Sequence, residues 1–243
     1  MWRKLATLSL TLLIPGLAGC GGPAADDSAA SAREVLPARV AVRPAPAPVT
    51  TPAARIVFLG DSLTAGLGLD EDQAFPAVVE RELRKEGLPI QVVNAGVSGD
   101  TSAGGLSRLG WLLGQRPDVV VVGLGANDGL RALPLAETEK NLREIVRRAQ
   151  AAGARVLLLG MRIPPNYGPY ADEFAALYPR LAEELDVPFV PFLLEGVGGV
   201  RDLNQADGIH PTAEGQEILA KNVLPSLTAM LRQPAAAAAA GSR

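Results

Sequence analysis

Cysteine and histidine are almost missing from this chain of 243 residues, which has one of each, Cys20 and His210. A single cysteine rules out an internal disulfide framework. One cysteine and one histidine also argue against a zinc site, which needs several such ligands. Any mechanism that needs an imidazole must therefore use His210. Excess positive charge is missing too. Lys and Arg total 23 against 26 Asp and Glu, a net charge of −3, so there is no basic footprint for nucleic acid. Nor is there a long hydrophobic run: the apolar stretch from Leu5 to Ile14 is too short to make a good membrane span. What remains is an ordinary globular composition, 48% hydrophobic and 20% charged. The length suffices for a sizeable core, in one large domain or two small ones.

Both ends stand apart from the body. Arg3 and Lys4, the apolar stretch and the small residues up to Cys20 have the order of a secretory signal. Leu17-Ala18-Gly19-Cys20 resembles the bacterial lipobox, in which the cysteine takes a lipid and the chain is cut before it. Residues 1–20 are thus expected to be a lipoprotein signal peptide, with Cys20 as the lipidation site. The product would be an exported protein tethered to a membrane and facing the periplasm or the cell exterior. Residues 21–53 are rich in Ala and Pro (Pro37, Pro44, Pro46, Pro48, Pro52) and read as a semi-rigid linker. Residues 233–243, with the Ala235–Ala240 run, read as a low-complexity tail. The folded domain is expected over 54–232.

Within it, short apolar runs alternate with amphipathic segments. Strands are expected at Arg55–Leu59, Ile90–Val93, Asp118–Val122, Arg155–Leu159 and Pro188–Phe192. Helices are expected at Ala74–Lys85, Ser102–Gln115 (weakened by Gly104, Gly105 and Gly110), Glu137–Ala152, Ala171–Leu185 and Thr212–Leu231. Nearly all-apolar strands separated by helices imply an α/β class, a parallel sheet covered on both faces. Right-handed crossovers make it a doubly wound three-layer sandwich. Ligands in such sheets bind beyond the carboxyl ends of the strands.

Four polar loops fall at that edge: Gly60-Asp61-Ser62-Leu63, Asn94 to Thr101, Gly123 to Asp128, and Asp207-Gly208-Ile209-His210-Pro211. Each alone has a dull explanation, as a helix cap, a turn or a structural histidine. Together they fill the four roles of acyl transfer. Ser62 supplies a hydroxyl nucleophile. His210 supplies the only imidazole available as general base, and Asp207 would fix its tautomer and balance its charge. The Ser62 and Gly99 N–H groups and the Asn127 side-chain amide suit an oxyanion hole, Gly99 because it lacks a Cβ. Asp61 and Asp128 read as caps and loop braces. The nucleophile elbow of α/β-hydrolases, Gly-x-Ser-x-Gly, is absent, because Thr64 stands two residues after Ser62.

The four blocks Gly60-Asp61-Ser62-Leu63, Gly99, Gly125-Ala126-Asn127-Asp128 and Asp207-Gly208-Ile209-His210-Pro211 resemble those of the SGNH (GDSL-type) hydrolases. The resemblance covers about residues 55–232. It is closer to the arylesterase and thioesterase I–lysophospholipase branch through Asn94 to Ser102, Gly125 to Arg131 and Met161 to Gly168. The segment Leu63 to Leu69 is nearer the secreted arylesterases. The resemblance implies a flavodoxin-like, five-stranded α/β/α sandwich. It also implies a catalytic Ser62–His210–Asp207 triad with the three oxyanion donors, and no metal or other cofactor. Substrates would be short- or medium-acyl or aryl esters, with acyl thioesters and lysophospholipids as further candidates. Leu67, Leu130, Pro165 and Tyr167 are placed around an apolar acyl pocket. A carbohydrate O-deacetylase on the same fold, and a non-catalytic binding module, are the competing readings.

Overall fold

Four consecutive valines form the middle of the molecule. Val119–Val122 are all buried in strand β3, Val119–Gly123. The computed structural model describes residues 53–233. The signal segment, almost all of the linker, the tail beyond Gln233 and Cys20 lie outside the described residues.

The other strands are β1 (Ala54–Gly60), β2 (Ile90–Gly96), β4 (Arg155–Leu159) and β5 (Phe189–Val190). All are parallel, in the order β2-β1-β3-β4-β5. This is the doubly wound arrangement expected from the alternation. The longer helices are α2 (Phe75–Lys85), α3 (Ser102–Leu113), α5 (Leu135–Ala151), α6 (Pro169–Glu184) and α7 (Ala213–Arg232). Two short ones, α1 (Ser62–Ala65) and α4 (Ala126–Leu130), lie directly after β1 and β3. Helices α2 and α7 pack together as one outer layer; α3, α5 and α6 form the other. Phe75 sets its ring edge against Phe58 of β1, centroids 5.5 Å apart, joining α2 to the sheet.

Three elements depart from the sequence expectation, each for a local reason. Strand β2 continues through Asn94-Ala95-Gly96, because β1 offers a ladder partner as far as Gly60. Strand β5 shrinks to two residues, because Pro188 and Pro191 on its flanks have no N–H for the ladder. The Gly125–Asp128 segment, read as part of a polar loop, instead opens helix α4, with Gly125 at φ +106° as its N-cap.

At the carboxyl edge Gly60 lies abreast of Gly96 and Gly123. Helix α1 folds back onto this edge. A Cβ on Gly60 would sit 1.9 Å from Thr64 Oγ1, and one on Gly96 would sit 2.2 Å from the Ala65 nitrogen. The bare strand ends let the turn that carries Ser62 lie directly on the sheet.

Candidate active site

Ser62 is the first residue of α1, and its neighbour Asp61 caps that helix by accepting the Leu63 N–H at 3.0 Å. The sharp turn leaves the serine at the cleft floor, 8% exposed. His210 arrives from the other end of the chain. Its loop is held by its own carbonyl, which accepts the Gln205 N–H at 2.7 Å, and by an Asn204–Pro211 bridge. His210 Nε2 lies 2.9 Å from Ser62 Oγ, and Nδ1 lies 2.6 Å from Asp207 Oδ2. An ionised carboxylate only accepts, so Nδ1 carries the proton and Nε2 is free to receive that of Ser62. Asp207 Oδ1 accepts the Ile209 and His210 N–H groups, each at 3.0 Å. The His210 ring, aided by these two amides, holds the Asp207 carboxyl down at about 2.

Gly99 and Asn127, expected as donors from the loops after β2 and β3, line the same cleft as Ser62. Gly99 has φ +82°, and a Cβ there would meet only the Arg131 guanidinium, at 3.9 Å. The demand for glycine is therefore conformational as well as one of substrate access. The Gly99 N–H has no backbone partner among the described residues. Asn127 Nδ2 donates to the Asp100 carbonyl at 2.9 Å and lies 3.5 Å from Asp61 Oδ2. Asp61 is fully buried, and burial pushes its carboxyl up to about 7 despite the Leu63 amide and the nearby His210. It is a cap, as expected, but it also lines the cleft beneath Ser62. Asp128 is the brace it was read to be, accepting the Ser102 N–H at 2.8 Å and the Ser102 hydroxyl at 2.5 Å.

Ser62 and His210 line a cleft of about 560 Å³. Its walls include Leu63, Leu67, Leu130, Ile163, Pro164, Pro165, Phe192, Leu194 and Ile209. Three of the four expected pocket residues, Leu67, Leu130 and Pro165, therefore line it. Tyr167 does not: its hydroxyl donates to the Leu130 carbonyl at 2.8 Å, so it supports the wall and is not part of it. No group of three or more His, Cys, Asp or Glu side chains arranged to hold a metal occurs among the described residues.

The family model of the GDSL-like Lipase/Acylhydrolase family matches residues 58–218. The chain belongs to that family. Within the GDSL-like group it is 48% identical to Esterase TesA of Pseudomonas aeruginosa over 181 residues, 74% of this chain and 90% of that protein. It is 44% identical to Thioesterase 1/protease 1/lysophospholipase L1 of Escherichia coli K12 over 167 residues, 68% of this chain and 79% of that one. Among solved structures, the psychrotrophic esterase EstA of a Pseudoalteromonas species, inhibited by monoethylphosphonate, superposes with a TM-score of 0.70. It is 35% identical and is matched over 74% of this chain and 99% of its own.

Several residues of this GDSL-type site carry no local sequence signal. Arg108 on α3 pairs with Asp100 at 2.7 Å and donates to the Gly60 carbonyl at 2.9 Å, joining the loop after β2 to the strand before Ser62. Gln205 donates to the Leu67 and Pro211 carbonyls, at 2.7 and 3.0 Å, and so ties the two sides of the cleft mouth. Buried Gln216 on α7 accepts the Phe75 N–H at 2.8 Å and donates to the Leu63 carbonyl at 3.2 Å. Their partners are mostly backbone carbonyls far away in sequence, which no spacing rule reveals.

Proposed function

We propose that the protein is a serine esterase that cleaves carboxylic esters through an acyl-enzyme, with Ser62, His210 and Asp207 as its triad. The observation that carries this reading is the continuous chain of short contacts from Asp207 Oδ2 through the His210 ring to Ser62 Oγ. In the first step Ser62 Oγ attacks the carbonyl carbon while its proton passes to Nε2. The carbonyl oxygen becomes an oxyanion, received by the Ser62 and Gly99 N–H groups and the Asn127 amide. Collapse expels the alcohol, which takes the proton back from Nε2. Water, deprotonated by the same nitrogen, then releases the acid and restores Ser62. Asp207 stays ionised throughout, keeping the imidazole in one tautomer.

The apolar cleft supports acyl chains longer than acetyl, with aryl esters, acyl thioesters and lysophospholipids as the substrate classes that the relatives' names suggest. The test is a chain-length series of 4-nitrophenyl esters on the wild type and Ser62→Ala. Turnover that peaks beyond acetyl and vanishes in the variant is expected. Near-normal hydrolysis by Ser62→Ala ends the proposal; activity confined to acetyl moves it to a deacetylase.

The protein is further proposed to be exported and held at a membrane by a lipid on Cys20. The lipobox-like segment Leu17-Ala18-Gly19-Cys20 supports this reading. Mass spectrometry of the mature amino terminus should find a diacylglyceryl cysteine at position 20. An unmodified start elsewhere overturns the anchor.

A further inference from the structure

Among the residues that line the cleft, Arg162 is the one permanent cation. It follows buried Met161 in the loop after β4 and is itself exposed. Its guanidinium carbon lies 4.9 Å from the centroid of the Phe192 ring, another lining residue. The other arginines near the catalytic loops are engaged, Arg108 with Asp100 and the Gly60 carbonyl, and Arg131 with the Gly99 carbonyl at 3.1 Å. Arg162 makes neither an ion pair nor a hydrogen bond among the described residues; its one polar interaction is with the face of Phe192.

That arrangement has a chemical meaning. A guanidinium placed over an aromatic face is held there by cation–π attraction, while its N–H donors stay free for a ligand. The walls around it are mostly aliphatic, so the lining offers few other polar groups to fix a ligand's orientation. A planar fork of donors at such a place matches a carboxylate or phosphate bidentately.

We propose that Arg162 is a specificity residue that receives an anionic group on the ester, so that the cleft prefers esters carrying a carboxylate or phosphate to neutral ones of the same size. The inference rests on the esterase reading above. The anion has two possible sources, the far end of the acyl chain or the leaving alcohol.

Two matched substrate pairs separate them. One pair is the 4-nitrophenyl ester of hexanoic acid and the 4-nitrophenyl monoester of adipic acid; the other is phenyl butyrate and 3-butyryloxybenzoate. The quantity read is the ratio of kcat/KM for the anionic and neutral members, which cancels any general loss of activity. In the wild type this ratio should exceed one in at least one pair. Arg162→Gln should lower it there by about tenfold, the worth of one charge-assisted hydrogen bond at a partly exposed site. The preference should also shrink as salt is raised. Arg162→Glu should reverse it, favouring 3-(trimethylammonio)phenyl butyrate over phenyl butyrate, a gain that misfolding cannot produce. A wild type without anionic preference in either pair, or a ratio unmoved in Arg162→Gln and Arg162→Glu, overturns the inference. A wild type that cleaves none of the esters overturns the esterase reading on which it stands.

Discussion

Replacing Arg108 with alanine should weaken both the fold and the catalysis, by amounts that follow from its contacts. The side chain is 23% exposed and its partner Asp100 16%, so the pair is neither on the surface nor sealed in the core. Fully exposed pairs contribute about 0–1 kcal/mol, and breaking a fully buried one costs about 3–5 kcal/mol. An intermediate pair, with the extra bond to the Gly60 carbonyl, should cost about 2–3 kcal/mol. For a domain of this size that corresponds to a fall in Tm of about 5–10 °C. A double-mutant cycle with Asp100→Ala isolates the pair, and urea unfolding of the four proteins should return a coupling of about 1.5 kcal/mol or more. The functional half follows from what the pair holds. Gly60 precedes Asp61 and Ser62, and the Asp100 carbonyl fixes the Asn127 amide. Loosening both should lower kcat about tenfold with KM nearly unchanged, because the affected geometry matters most when the oxyanion forms. A coupling below about 0.5 kcal/mol refutes the energetic argument. Lost stability with an intact kcat refutes the link between this pair and the catalytic loops.

Asn127→Ala should reduce kcat by roughly 100- to 1000-fold with little change in KM, as expected for the loss of one oxyanion donor; a change mainly in KM reassigns the side chain to ground-state binding. Tyr178→Phe removes the buried hydroxyl that donates to the Leu124 carbonyl at 3.0 Å, so urea unfolding should show a loss of about 1–2 kcal/mol. No measurable loss would mean that the carbonyl finds another partner. The Asp61 carboxyl stands near 7 in the fold against an ordinary 3.8, so the folded state holds this proton more tightly than the unfolded chain. Wild-type stability should therefore fall relative to Asp61→Asn as pH rises from about 4 to about 7, by roughly 4 kcal/mol at most, and run parallel above. A difference that does not vary with pH refutes the burial argument. Asp207 has the opposite sign: its lowered value, about 2 against 3.8, means its contribution is complete above about pH 4 and is lost as pH falls toward 2. Asp207→Asn should therefore track the wild type most closely below that window; a gap that persists unchanged to pH 2 refutes it.

The elements that were legible in the amino-acid order are those whose own side chains decide them. Val119–Val122 can scarcely be other than a buried strand, and Thr212 caps α7 with its own hydroxyl. Three of the four polar loops were legible because strand ends and motif residues coincide, and the fourth because it holds the one histidine just ahead of α7. What escaped was decided elsewhere in the fold. Asn94–Gly96 is strand because β1 is there to pair with it, not because of its composition. Ala126–Leu130 is too short, and too poor in helix formers, to announce a helix. Tyr167 has the look of a pocket aromatic, yet its hydroxyl turns to the Leu130 carbonyl. Arg108 and Gln205 bind carbonyls 48 and 138 residues away, so each looks like an ordinary polar side chain until the sheet is assembled.

Ser62 and His210, the proposed nucleophile and base, are 148 residues apart in the chain. On a ribosome the serine emerges early and the imidazole near the end, so a half-made chain carries a hydroxyl with nothing to activate it. Gln216, on the final helix, bonds to the carbonyl of Leu63, immediately after the serine, so the last helix docks on the first. With the proposed triad, hydrolytic power arrives only once the segment carrying Asp207 and His210 has met Ser62, so a chain cut short before Asp207 lacks the base that this chemistry needs. Activity doubles as a signal that folding has reached its end.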